Sequence, residues 1–495
     1  MTSSPANHKN VHPAVPNRRH IIIGAMFRAV GAYPSGWRYP GAHHDPHDDA
    51  EVIRATALEA ERAGLDYIFF GDWLATGPDL EFRDPYLAAR IEPLSAVGFL
   101  AGVTSRIGLI ATVNATYSDA YTLARTSASV DRLSGGRLGL NIVTGAEPRA
   151  AANHGREAHW GNEQRYDSAE ELIDALRLLW DSWGDGALVA DQESGTYLNP
   201  DRLHRADFQG EHHPVAGPLN VLRPIQGHVP LVHAGTSTRS RELVHSRADL
   251  ALLGLSGIAE AAVETAALGR EIAAKGRDPQ AVKTLTPVLP IIGATVEEAW
   301  DIHDFLVSRV PVSPGPHDGR EGFPDTRSLA ALNDTLGFPA ADFDLDAEVS
   351  VADAAGFSPR GRDLIDLVAR RSGRVPGSQR PVRWRDLLVN QLVPYSVVVG
   401  TPVQVADYLQ TWHEEGGVDG FNVLTPYLGD QFERFTRGVI PELRARGLFR
   451  EAYQGTTLRD HLGLTVPANV HERGESQPRE KRSTTDATVS AGVTK

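Results

Sequence analysis

Short apolar runs alternate with segments of helical period along most of the chain. The runs are His20–Met26, Asp66–Phe70, Arg106–Val113, Arg137–Val143, Val229–Ala234, Ala248–Leu253, Thr284–Ile292 and Gly420–Leu424. They end in polar or glycine-containing turns, as strands buried on both faces do. Helical patterns lie between them at about Asp49–Ala63, Pro93–Gly102, Ala120–Leu133, Tyr166–Trp183, Ser240–Ser246, Gly257–Ala274, Val296–Val307 and Pro402–Glu415. Repetition of a buried strand and a crossover helix predicts an α/β fold, a (β/α)8 TIM barrel.

Three intervals break the rhythm: the arm before Asp49, Gly184–Pro224 and Pro311–Pro381. The last is the longest insertion and follows the seventh strand. It is too long for a plain connection, so it is expected to be either a lid with its own helices or a partly disordered excursion over the catalytic face. The barrel is expected to span residues 20–467, with insertions at about 184–224 and 311–381. Residues 1–19 and 468–495 carry too little apolar surface to repay ordering and are expected to be disordered tails.

Composition narrows the function. Across 495 residues the formal charge is −14, which disfavours nucleic acid or an anionic membrane as the main partner and favours a small molecule. The absence of cysteine excludes disulfides, thiolate metal sites and a cysteine nucleophile. No apolar stretch approaches the roughly 20 residues that span a bilayer, and Met1–His20 lacks the apolar centre of a secretory signal. A cytoplasmic protein is expected.

The stretch Val229–Asp249 carries the clearest chemistry. An apolar strand runs through Gly235-Thr236-Ser237 into a helix, where unpaired N–H groups and the two hydroxyls suit a phosphate. Chemistry in such a barrel sits at the carboxyl ends of the strands, and there the chain offers Asp72, Thr112, Asn114, Asn141 and Gly145. Hydroxyl, amide and one carboxylate suit the polar edges of a heteroaromatic cofactor; a hydrolase's paired acids or Ser–His couple are missing. Tyr166 suits either a buried cap or a phosphate contact. The run Gly41–Asp49, with His43, His44 and His47, matches no known metal-ligand spacing and reads better as a helix start. A metal-dependent hydrolase on those histidines is therefore a minor alternative. Arg149 and Arg156 are candidates for receiving an anion, although solvated arginines are commoner. Ser134-Gly-Gly-Arg137 reads as a helix stop and turn.

Taken together, Gly36–Pro40, Gly64–Asp72, Thr122–Arg137, Asn141–Thr144, Arg165-Tyr166, Gly217–Asn220, Ala234–Ser237, Val399–Pro402, Gly417–Asn422, Pro441–Phe449 and Thr457–Gly463 resemble the flavin-dependent monooxygenases of the bacterial-luciferase-like superfamily. The resemblance is to the group that includes nitrilotriacetate monooxygenase component A, dibenzothiophene-sulfone monooxygenase and long-chain alkane monooxygenase. It covers residues 20 to 467. It implies that the chain uses reduced FMN (FMNH2) from a separate NAD(P)H:flavin reductase, with O2 as co-substrate, to form a flavin peroxide that oxygenates a small organic molecule. It also implies a homo-oligomer, dimer or tetramer. By the same resemblance Asp72, Thr112, Asn114 and Asn141–Gly145 surround the flavin ring and ribityl chain, and Asn162, Tyr166, Thr236 and Ser237 meet the phosphate. Ala32, Ala146 and Asn162 stand where some members have histidines; no acid–base role carries over to Ala32 and Ala146, whereas Asn162 can still donate a hydrogen bond to phosphate without the charge. His159 is a candidate to compensate, although a surface histidine is the commoner case. A deazaflavin-dependent oxidoreductase on the same barrel and a flavin-binding protein without turnover are the alternatives.

Overall fold

A computed structural model describes residues 20–45, 49–75, 90–235, 237–255, 257–310, 329–340, 344–393 and 395–472. Its strands are β1 (Ile22–Phe27), β2 (Tyr67–Phe70), β3 (Gly108–Asn114), β4 (Leu138–Val143), β5 (Leu231–Ala234), β6 (Leu250–Leu252), β7 (Lys283–Ile292), β8 (Ser396–Gly400) and β9 (Gly420–Leu424). Neighbours run parallel from β1 to β7; β7 pairs with β9, and β9 with β1 from Ile22↔Gly420 to Met26↔Leu424. This closes an eight-stranded barrel from the eight runs expected.

Around it lie α1 (Asp49–Arg62), α2 (Pro93–Ala101), α3 (Ala120–Leu133), α4 (Asn162–Trp180), α5 (Thr238–Arg247), α6 (Ile258–Ala274) and α7 (Val296–Arg309). The insertion runs past the expected 381 as far as β8 and contributes α8 (Leu329–Leu336), α9 (Pro359–Ser372) and α10 (Trp384–Leu392), and after it come α11 (Pro402–Glu414) and α12 (Leu458–Leu462). Among the described residues no helix is long and apolar enough to cross a membrane.

Alternation sorts each strand's side chains into two cores. Outward residues such as Ile23, Ile68, Leu109 and Leu140 pack under the helices. Inward residues Tyr67, Ile110, Val232, Leu250 and Leu285 fill the lower barrel, where Leu458 and Leu462 of α12 and Leu464 plug its amino-terminal end. The Ser134–Arg137 turn has a structural task at that end. Arg137 is buried and donates to Ser134 O (2.6 Å), Thr104 Oγ1 (2.7 Å), Ile107 O (2.9 Å), Thr104 O (2.9 Å) and Ala101 O (3.2 Å).

Three details differ from the expectation. Strand β8 is additional: it pairs beside the upper end of β7, from Val288↔Ser396 to Ile292↔Gly400. Four of its five residues are only half-buried, so it lacks the continuous apolar signature of the barrel strands. Helix α4 starts at Asn162, four residues before the expected Tyr166, with Gly161 as cap and Glu163 in the first turn. At the other end the packed chain continues past 467. Asn469 is buried and donates to Asp181 O and Trp183 O, both at 3.1 Å. The remaining tails, 1–19 and 473–495, lie outside the described residues.

The insertion has helices and a core of its own, in which Leu336, Phe357, Leu364, Trp384 and Leu387 are buried together. Arg374 and Arg380 tie it to Asp304 on α7, at 2.6 and 2.9 Å. Its residues 311–328 and 341–343 lie outside the described set.

Candidate active site

Two adjoining cavities open at the carboxyl ends of the strands. The larger, about 660 Å³, is floored by inward residues of the barrel, among them Met26, Phe69, Thr112, Asn141 and Asn422. Leu392, Val393 and Tyr395 close it from the insertion. The smaller, about 460 Å³, shares Asp72, Trp73, Val143, Ala234 and Gly235 with it and extends to Asn114, Gly145, Asn162, Arg165, Tyr166 and Ser237. The structure thus divides the expected residues into two groups joined at Asp72. Thr236 lies outside the described residues.

On the floor of the larger cavity, Asn141 Nδ2 donates to Thr112 Oγ1 at 3.0 Å because the two residues are direct neighbours across β3 and β4. The amide oxygen of Asn141 is buried with no protein partner, as is that of Asn422 on β9. A buried amide oxygen left without a donor costs free energy, so these two acceptors suit the N–H or O–H groups of a bound molecule. Asp72 is half-buried, with Oδ1 accepting from Trp73 N–H at 2.8 Å. Burial pushes its carboxyl above the usual aspartate range, opposed by that N–H and by the nearby Arg90.

The smaller cavity is built from helix starts. Asn162, Arg165 and Tyr166 come from the first turns of α4, and Ser237 is the cap of α5, its Oγ accepting from Ser240 N–H at 3.2 Å. Ser237 Oγ also lies 3.4 Å from Tyr166 Oη. Arg165 donates from Nη1 to Gly145 O and from Nη2 to Asn162 Oδ1 (3.2 Å), while its buried Nε has no protein partner. A cation with an unused donor, a phenol, a hydroxyl and two helix starts have the chemistry that suits an anion. Gly145 has φ +68°, and a Cβ there would sit 2.3 Å from Asn114 Nδ2, so the loop after β4 needs glycine. Arg239 is not part of this site, because Glu163, Asp167 and Glu170 hold it.

The other candidates take plainer places. Arg149 pairs with Glu147 at 2.8 Å, and Arg156 lies 3.8 Å over the Trp160 ring and donates to Thr116 O. His159 links Tyr117 Oη (2.9 Å) to Gly145 O (3.2 Å), so it shapes the loop. Ala32 lines the larger cavity and Ala146 the smaller. His44 contacts Ala42 O, and His47 lies outside the described residues.

Sequence reasoning did not single out Arg28, Arg90, Asn422 or Tyr395 of the larger cavity, nor His233 beneath the anion site. Asn422 stood inside an expected strand and pointed inward by alternation, a usable signal. His233 Nδ1 donates to Ile142 O at 2.7 Å and its ring meets Tyr166 edge-on, at 6.0 Å between centroids. Burial pushes this imidazole below the usual histidine range.

A barrel with an anion site after β4 and β5, opening into an apolar cavity over an amide floor, is the architecture of a cofactor-dependent barrel enzyme. The luciferase-like monooxygenase family profile matches residues 33–419, and the chain belongs to that family. The chain is similar to nitrilotriacetate monooxygenase component A of Aminobacter aminovorans, at 35% identity over 91% of this chain and 98% of that one. It is similar to dibenzothiophene-sulfone monooxygenase of Rhodococcus erythropolis, at 33% identity over 91% and 98%. Among solved structures, a riboflavin lyase with modified FMN and riboflavin superposes with a TM-score of 0.71 at 26% identity, covering 90% of this chain and 97% of that one. The protein is an oxidoreductase of the monooxygenase kind, and membership of this family implies a flavoprotein.

Proposed function

We propose that the protein is the oxygenase of a two-component system, a cytoplasmic enzyme that takes FMNH2 from a separate NAD(P)H:flavin reductase and inserts one atom of O2 into a small organic substrate. The observation that carries this reading is the pairing of an anion site with an apolar cavity whose floor presents buried, unpartnered amide oxygens. That donor and acceptor set fits FMN. Arg165 Nε, Tyr166 Oη, Ser237 Oγ and Asn162 would hold its phosphate, Asn114 and the Gly145 loop its ribityl chain, and Thr112, Asn141 and Asp72 its ring. Bound reduced flavin supplies the electrons that divide O2 between product and water.

The chain's own residues bind, orient and exclude water. Asn141, tied to Thr112, presents one fixed acceptor. The apolar side chains of Met26, Phe69, Leu392 and Val393 keep the larger cavity dry, which protects reactive species from hydrolysis. The raised pKa of Asp72 allows its carboxyl to retain a proton at a higher pH than an ordinary aspartate. Support for a separate reductase comes from the relationship to a protein named as component A.

Anaerobic titration of the full chain with reduced FMN and with a reduced deazaflavin, followed by mixing with oxygenated buffer, tests the reading. Saturable FMNH2 binding and a flavin spectrum altered during reoxidation are expected. Binding of the deazaflavin alone would overturn it.

A further inference from the structure

We infer that His233, behind the anion site, is a positioning residue for the flavin phosphate: its Nε2 takes a proton from solvent when the phosphate binds and donates a hydrogen bond to Ser240 Oγ. This rests on the FMN reading above and adds a proton to what the site binds. By alternation His233 shares the outward parity of Leu231, while Ala234 faces the cavities. The imidazole is 1% exposed, covered by the first turns of α4 and α5. Its Nδ1 donates to Ile142 O at 2.7 Å. A carbonyl only accepts, so Nδ1 carries the hydrogen, and in the neutral ring Nε2 is a bare acceptor. No protein group meets that nitrogen.

Ser240 supplies the matching half. Its hydroxyl oxygen is buried and equally without a partner. A Cβ on Gly235 would strike that oxygen and sit 3.8 Å from His233 Nε2, so both atoms flank one point beside the turn. Ser240 N–H donates to Ser237 Oγ at 3.2 Å, and Ser237 Oγ lies 3.4 Å from Tyr166 Oη. The imidazole meets the Tyr166 ring edge-on, at 6.0 Å between centroids, and thus reaches Tyr166 directly and Ser237 through Ser240. The neighbouring strands bring Ile142 O from β4 and Ala251 from β6, neither charged. Helix α4 brings the Tyr166 phenol and, next to it, Arg165. Helix α5 brings Arg239, 5.8 Å over the Tyr166 ring and held by Glu163, Asp167 and Glu170. Burial keeps the ligand-free ring neutral at pH 7, against the bond to Ile142 O. A phosphate brings negative charge to Tyr166 and Ser237, and an opposite charge nearby favours the charged ring. Ser240 Oγ then accepts the new N–H, so the imidazolium is not left unpaired.

The experiment counts protons by anaerobic calorimetry of the full chain with FMNH2 at pH 7, in two buffers of different ionisation enthalpy. Wild-type protein is expected to take up about half a proton or more per FMNH2 beyond the uptake of His233→Gln or His233→Asn. The asparagine variant keeps an amide donor for Ile142 O. Ser240→Ala should reduce the extra uptake. With reduced riboflavin, which has the same ring and no phosphate, wild type and variants should agree. Between pH 6 and pH 8 the wild-type affinity for FMNH2 should fall about threefold to tenfold more than that of either His233 variant. Histidine-ring NMR of the unmutated protein gives a check that needs no variant to fold: saturation with FMNH2 should move the His233 signal toward the protonated position. Equal proton counts in wild type and variants, an unmoved ring signal, or the same His233-dependent uptake with reduced riboflavin would overturn the inference while leaving the monooxygenase reading intact. Failure of the wild-type chain to bind FMNH2 would strike that earlier reading, and this one with it.

Discussion

The two ends of the barrel use polar residues in opposite ways. At the amino-terminal end, the buried arginines have their donors engaged: Arg137 makes five hydrogen bonds, and Arg459 donates to His228 O (2.9 Å) and Thr465 O (3.1 Å). At the carboxyl end, Asn141 and Asn422 each leave a buried oxygen without a protein partner, and Arg165 leaves a nitrogen. One end spends its polar groups on the fold, and the other holds them ready for ligands. His461 departs from this division, since both its nitrogens lack partners at the closed end.

The contrast can be broken most forcefully at Arg137. Arg137→Ala strands five acceptors, one in its own turn and four between the end of α2 and β3, and should lower unfolding free energy by about 3–5 kcal/mol, measured by denaturant titration. If the loss is under about 1 kcal/mol, the amino-terminal network does not carry the stability assigned to it.

His461 provides the next largest effect. Burial, reinforced by Arg450, pushes its imidazole down to about 4. The folded protein therefore keeps it neutral while the unfolded chain takes up a proton near the ordinary pKa of about 6.5. Stability is full above that value and falls as pH drops from it toward 4, by about 2 kcal/mol between pH 7 and pH 5 from this residue. His461→Leu should flatten the pH dependence of unfolding by that amount over the same range.

The smallest effect sharpens the comparison from the other side. Asn422→Leu removes an oxygen that makes no protein hydrogen bond, so thermal and denaturant unfolding should change by less than about 1 kcal/mol. A large destabilisation would show that the carboxyl-end amides also hold up the fold.

Much of this was legible in the chain. Parallel strands covered on both sides read as near-continuous apolar runs, which is why all eight barrel strands could be located. Thr112 and Asn141 stood out as polar residues within such runs, and Ser237 as the cap after a glycine turn. Strand β8 was missed because its half-buried valines carry no comparable signal. Arg28 and Tyr395 are separated by 367 positions and meet only through the docking of the insertion, a long-range event that local periodicity does not encode. Arg165 was legible as part of the first turn of α4 beside Tyr166, but its charge facing the smaller cavity depends on the loop after β4, to whose Gly145 O it donates.

The insertion's separate core also bears on how such an enzyme changes over generations. Leu392 and Val393 face the cavity, but the helices behind them are stabilised by Phe357, Leu364 and Trp384, which do not line it. Substitutions at the cavity face can therefore accumulate with little damage to the barrel or to the anion site. Selectivity is thereby made inheritable in small steps, on a cassette that can diverge while the oxygen-handling machinery stays as it was.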